Sequence, residues 1–229
     1  MKYIFSIGVF GNNPRYIYGA YKQYELAQRY YPGWEFRVYI DDASRINLPR
    51  ATVIEVKDNS DGTFWRFFPW FESGLNVTIC RDADSRITAR EAMATYEWLA
   101  SDKMFHIMKD HPTHRPIPIL AGMCGMKGQL DSGVGTKLLA RMLVRKEYGA
   151  DQDFLANVVY PVVKHSCMEH EFDTGWFGVS RNHLYNRYEW VGNGFDENEL
   201  PIYPPTAEER NGYDRFKLPE SAKFCGYYK

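Results

Sequence analysis

The sequence predicts an α/β fold, one domain built on a mostly parallel central sheet flanked by helices. Two observations carry that expectation. Over the first hundred residues, short apolar or alternating runs take turns with segments of helical periodicity, and strands that alternate with helices pair in parallel. The length, 229 residues, with 45% hydrophobic and 16% aromatic content, suits one folded domain with a sizeable core, and the chain has no internal repeat or low-complexity tract.

The elements follow in order. Tyr3, Ile4, Phe5, Ile7, Val9 and Phe10 form a buried first strand that stops at Gly11. Asn13 suits a helix N-cap and Pro14 the first helical position, and Ile17, Tyr21 and Tyr24 recur near helical spacing until Pro32 and Gly33 end the segment. Trp34, Phe36, Val38 and Ile40 alternate as a second strand that runs into Asp41 and Asp42. A third strand is expected at 52–56, a short aromatic helix at 64–71 and a fourth strand at 75–80. The fourth strand delivers Arg81-Asp82-Ala83-Asp84-Ser85-Arg86, after which Thr88 and Glu91 match a capping box and Ala92, Tyr96 and Leu99 give a helix one apolar face. Further on, 119–126 reads as a strand, 137–148 and 152–160 as helices, and 168–229 as loops and short strands closing over the same core.

Composition excludes some partners. With 28 basic and 29 acidic residues the net charge is -1, so neither nucleic acid nor an anionic membrane is an expected partner. The first strand is interrupted by Ser6 and Gly8 and does not read as a signal peptide, and no apolar run approaches transmembrane length. Cys80, Cys124, Cys167 and Cys225 are widely spaced without a CxxC pair, so the expected setting is reducing and cytoplasmic, the host's cytoplasm for a viral protein.

Ligands of such sheets sit beyond the carboxyl ends of the strands, and the Asp82/Asp84 pair lies at one of those ends. In an extended segment, side chains two residues apart point the same way, so these carboxylates are expected to face one small region. A hard divalent cation, Mn²⁺ or Mg²⁺, takes one or two carboxylates and completes its shell with substrate phosphates and water. Arg81 and Arg86 either bind phosphate oxygens or pair with the same aspartates.

Several segments resemble a known family: Arg81 to Arg86; Glu97-Trp98-Leu99; Phe105-His106-Ile107-Met108-Lys109-Asp110-His111-Pro112; Leu120-Ala121-Gly122-Met123-Cys124-Gly125; Gly149 to Leu155; and Glu189-Trp190-Val191-Gly192. In this order they are similar to DXD glycosyltransferases of bacteria and large DNA viruses, including those of chlorella algae. The resemblance implies a GT-A, Rossmann-like domain over residues 1–229, nucleotide-binding to about residue 100 and sugar- and acceptor-binding beyond it. It further implies a nucleotide diphosphate sugar donor, by preference a UDP-sugar, a glycan or other hydroxyl acceptor, and a divalent cation, usually manganese.

Carried over to this chain, the resemblance makes Asp82 a ligand of the donor ribose or the metal and Asp84 the firmer metal and diphosphate ligand. It places Phe10, Gly11 and Asp41 near the base and ribose, and Asp110, His111, Gly122 and Met123 along the donor sugar. Where many relatives have Gly-Gly followed by Met-Trp-Gly, this chain has Ala121-Gly122-Met123-Cys124-Gly125. Asp151 is either an N-cap or a general base that takes a proton from the acceptor hydroxyl, with Asp153 in reserve. His165 is the candidate third metal ligand, His170 its alternative, and both are otherwise ordinary histidines; Trp65, Trp70, Trp176 and Trp190 either stack on sugars or fill the core. Nucleotidyl transfer could also use an aspartate pair and a metal, but the chain has no GxxxxGK[ST] segment; a non-catalytic carbohydrate-binding module is the third reading.

Overall fold

A computed structural model describes residues 1–57, 60–111, 114, 116–144, 149–171 and 190–202. Pro112, Trp176, Glu189 and Cys225, and the expected helix end at 145–148, lie outside the described residues. Seven strands make one sheet in the order β3-β2-β1-β4-β6-β5-β7: β1 (Lys2–Val9), β2 (Glu35–Ile40), β3 (Thr52–Glu55), β4 (Asn76–Asp82), β5 (Phe105–Lys109), β6 (Met123–Lys127) and β7 (Cys167–Glu171). Every pairing is parallel except those of β6, which runs antiparallel to β4 and β5. The expected α/β architecture with a mostly parallel sheet is the one observed.

The two faces of the sheet divide the core. On one, Phe5, Ile7, Val9, Val38, Ile40, Val77 and Ile79 pack beneath α1 (Pro14–Tyr30) and α2 (Ala89–Ala100). On the other, Tyr39, Cys80, Ile107 and Cys124 meet a 3-10 segment (Gly62–Phe71), α3 (Ser132–Val144) and the run α4 (Ala150–Phe154), a π-helical turn (Leu155–Val159) and α5 (Tyr160–Val163). Pro161 lies in this run; its ring excludes the carbonyl four residues back, and widening to a π turn relieves that clash.

Caps fix the helices. Asn13 accepts from the Arg15 amide to start α1, and Thr88 accepts from Glu91 to start α2. Only half of the expected capping box forms, because the Glu91 side chain turns into the core towards Arg81. Three elements differ from expectation. The helix expected from residue 137 begins at Ser132, where Asp131 accepts from Gly133 and Val134; glycines at 133 and 135 hide that first turn in the sequence. The strand expected at 119–126 spans only Met123–Lys127, whereas the expected aromatic helix is present, as a 3-10 segment with Pro69 inside it. β5 is a fully buried strand whose His106 and Lys109 mask its apolar character.

Arg81 sits at the centre of the α2 face, 1% exposed, its Nε donating to Glu91 at 2.7 Å and its Nη1 to the carbonyls of Cys80 and Cys124. The buried charge of Glu91 is balanced by this partner, and the Tyr31 hydroxyl donates to the same oxygen at 3.3 Å. Arg81→Ala is therefore expected to destabilise the protein by about 3–5 kcal/mol, as when half of a buried ion pair is removed. Urea unfolding monitored by circular dichroism checks it.

Candidate active site

β1 hydrogen-bonds to β2 on one side and to β4 on the other, so the connection leaving β1 and the one returning to β4 diverge. That is a topological switch point, and the crevice outside the carboxyl ends of β1 and β4 is where open α/β sheets hold their ligands. Phe10 and Gly11 lie at one end of it and Asp82 at the other, with Gly8 paired to Asp82 in register.

Asp82 is the last residue of β4, not the first of a loop, and strand alternation sends its side chain to the face opposite Arg81. There Arg66 of the 3-10 segment meets it: Arg66 Nη1 contacts Asp82 Oδ1 while Nη2 donates to Asp151 Oδ2 at 2.6 Å. One guanidinium thus bridges the carboxylates of β4 and α4. Arg66 is held in place by its own backbone, whose carbonyl accepts from Ser6 Oγ and Cys80 Sγ.

Asp84 does not follow by strand alternation. Residues 82–85 form a turn closed by Ser85 N to Asp82 O at 3.2 Å, which corrects the extended geometry expected for the triplet. The Asp84 carboxylate points towards α1, where Arg15 Nε lies 3.4 Å away. The two aspartates still feel each other. Burial, and then the charge of Asp82, push the Asp84 carboxyl up to about 6.

The turn is gripped on all sides. Gly19 of α1 brings the helix against it, since a Cβ there would lie 2.3 Å from the Ala83 carbonyl. Gln23 Nε2 donates to Asp82 O at 3.0 Å and to Ser85 Oγ at 2.8 Å. From the far end of the chain, Ser85 pairs with Gly194 and the Phe195 amide donates to Asp84 O at 2.8 Å. Gly122 completes the enclosure: a Cβ on it would sit 1.9 Å from Asp82 Oδ2.

At the β1 and β2 ends, Gly11 has φ +72°, and its amide donates to Asp41 Oδ2 at 2.8 Å. Arg45 spans Asp41 Oδ1 at 2.7 Å and the Gly11 carbonyl at 2.6 Å, fixing the loop that follows β1. Phe10 is half-buried, stacked near Tyr16 and edge-on to Trp65.

Asp151 is also as much part of the cluster as Asp82. It is not the N-cap, a place taken by Gly149; it lies inside the first turn, with Oδ1 accepting from Gln152 N at 2.9 Å. Burial raises its carboxyl above the usual range, opposed by Arg66 and reinforced by Asp82. Asp153 is exposed, since two helical residues turn the side chain by about 200°.

Other expected residues are placed elsewhere. Arg81 faces away, as described, and is no phosphate ligand in this arrangement. Asp110 is fully buried: Oδ1 accepts from Arg90 Nε at 2.5 Å and Oδ2 from the Val191 amide at 3.0 Å, so it fastens segment 190–202 to α2. His111 packs against Trp190 with ring centroids 4.8 Å apart. Met123 is core, paired to Arg81 in register and packed with Ala94, Met108 and Val191. His165 is exposed at the amino end of β7, and β7 runs parallel to β5; it therefore lies at the opposite end of the sheet from Asp82. His170 is buried with His106 Nε2 2.9 Å from its Nδ1 and Glu97 at 3.3 Å. Among the described residues no three His, Cys, Asp or Glu side chains gather as a metal cage, and no helix is long and apolar enough to cross a membrane. Arg15 and Arg66 were not expected at the site. An isolated charge in the aromatic run from Phe64 to Phe71 is the one signal that pointed to Arg66.

No family profile matches the chain, and no curated protein is similar to it in sequence. Among solved structures it is similar to the crystal structure of a glycosyltransferase involved in the glycosylation of the major capsid of PBCV-1, at 15% identity and a TM-score of 0.45, covering 76% of this chain and 83% of that one. So loose a likeness transfers no residue roles.

The contact between Gly122 and Asp82 is testable without substrate. Gly122→Ala should cost about 1–3 kcal/mol, as for a methyl forced into packed space. Adding Asp82→Ala should recover most of that loss, and urea midpoints of the single and double variants read the coupling.

Proposed function

We propose that the chain is a metal-dependent glycosyltransferase that moves a sugar from a nucleotide diphosphate donor, by preference a UDP-sugar, to a glycan or other hydroxyl acceptor. The observation that carries this reading is the carboxylate pair Asp82 and Asp84 at the β1/β4 switch point, with a third carboxylate, Asp151, one guanidinium away. The likeness of the Arg81–Arg86 and later segments to DXD glycosyltransferases agrees with it.

The donor set suits a hard divalent ion. Asp82 and Asp84 offer only oxygen, their charges oppose each other in a cleft that desolvates Asp84, and two carboxylates suffice when a diphosphate and water fill the remaining positions. The cation, Mn²⁺ or Mg²⁺, would be held by these two side chains and would neutralise the charge gathering on the departing diphosphate. Arg15, beside Asp84 at the amino end of α1, is placed to meet phosphate oxygens there. Phe10, Gly11 and Asp41 form the wall available to the base and ribose. Asp151, whose burial strengthens its hold on a proton, would accept the acceptor's hydroxyl proton in a single displacement that inverts the anomeric carbon; in a retaining reaction it would instead orient the acceptor.

Nucleotide diphosphate sugars screened by thermal shift with and without Mn²⁺ test the donor class, because a ligand that binds the native state raises its midpoint. A UDP-sugar with Mn²⁺ is expected to stabilise the protein, and Asp82→Asn and Asp84→Asn to abolish the shift; no shift with any donor counts against the proposal. With the donor known, Asp151→Asn is expected to lower kcat by about 10²–10⁴, as for loss of a general base, and to weaken donor binding far less than that. Steady-state kinetics with calorimetric donor titration measures both.

A further inference from the structure

Arg66 is a charged side chain only 9% exposed, set in a 3-10 segment that is otherwise largely aromatic. Its guanidinium fork is divided between two elements, one Nη on Asp82 and the other on Asp151. Asp82 has little left to offer: Oδ2 is walled by Gly122, and Oδ1 is taken by Arg66. Yet its side chain is 40% exposed, so an ion from solvent reaches it only to find the carboxylate already neutralised. Asp151, at 8% exposure, is the deeper anchor, which lets Arg66 release Asp82 without becoming an unpaired buried charge.

We infer that Arg66 is a built-in counter-cation that competes with the divalent ion for Asp82, so that the site holds free metal weakly and takes the ion together with a nucleoside diphosphate. This rests on the proposed cation site at Asp82 and Asp84. Two positive charges contend for one carboxylate, and the ion prevails when a diphosphate brings further oxygen ligands to it. Arg66 then stays on Asp151 and holds that carboxylate in the cleft. In this role Arg66 is a positioning residue.

The test is Mn²⁺ binding followed by electron paramagnetic resonance, first with Mn²⁺ alone and then with UDP. Arg66→Met is expected to bind Mn²⁺ alone at least about tenfold more tightly than the unaltered chain, the scale of coupling between two charges competing for one ligand, and to show a smaller enhancement by UDP. Because Arg66→Met exposes the Asp151 charge, Arg66→Met with Asp151→Asn is measured beside it. That pair removes one charge of each sign, and the gain is expected to persist in it. Asp82→Asn in either background should erase the gain. If the folded double variant binds Mn²⁺ no more tightly than the unaltered chain, while Asp82→Asn still weakens binding in the latter, Arg66 is not a competitor and the inference fails alone. If Asp82→Asn leaves Mn²⁺ binding by the unaltered chain untouched, the cation site fails and takes the inference with it.

Discussion

Because β1 is bonded to β2 on one flank and to β4 on the other, the chain must leave β1 in one direction and return to β4 from the other, which opens a gap between them at the carboxyl ends. Everything placed around that gap inherits its position from the pairing. Gly8 opposite Asp82 sets the depth of the aspartate in the cleft. The close approach of Gly8 to the Gly62 carbonyl, 2.9 Å from where a Cβ would stand, seats the 3-10 segment that carries Arg66. A side chain at position 8 would push that segment off the sheet and separate Arg66 from both of its carboxylates.

The electrostatics of the cleft are organised by strand alternation. On β4, Arg81 and Asp82 are neighbours in sequence but face opposite layers, and each is neutralised within its own layer, Arg81 by Glu91 of α2 and Asp82 by Arg66. The polar interior is therefore two separate charge clusters divided by the sheet. The α2-side cluster continues through Asp110 and Arg90 and through His106, His170 and Glu97, which is structural chemistry. The other opens on the cleft.

Much of this was legible in the residues. The apolar run Val77 to Cys80 places Asp82 at a strand end, and Asn13-Pro14 fixes the start of α1 that brings Arg15 and Gly19 to the turn. Alternation also foretells that Arg81 cannot share a ligand with Asp82, although the proximity of the two in sequence suggests otherwise. What was not legible depends on partners far away in the chain. Nothing near Asp110 announces Arg90 and the Val191 amide, and nothing near Arg66 announces Asp151, 85 residues on. The turn at 82–85 escaped because, beyond its own Ser85-to-Asp82 bonds, it is held by Gln23 of α1 and by Gly194, which are distant in the sequence. His165 looked like a ligand only while the direction of β7 was unknown.

The strap formed by residues 190–202 has a consequence for how the molecule is made. Arg86 and Glu199, which pair across it, are 113 residues apart, and Asp110 waits 81 residues for Val191. During synthesis β1 to β4 can pair as soon as they emerge, whereas the rear wall of the cleft is supplied only once residue 195 has left the ribosome. Contacts of such long loops form late in folding because closing them costs the most chain entropy. A nascent chain thus pairs β1 to β4 before its chemistry is complete, and the turn that carries Asp84 gains its partners at residues 194 and 195 only when that segment arrives.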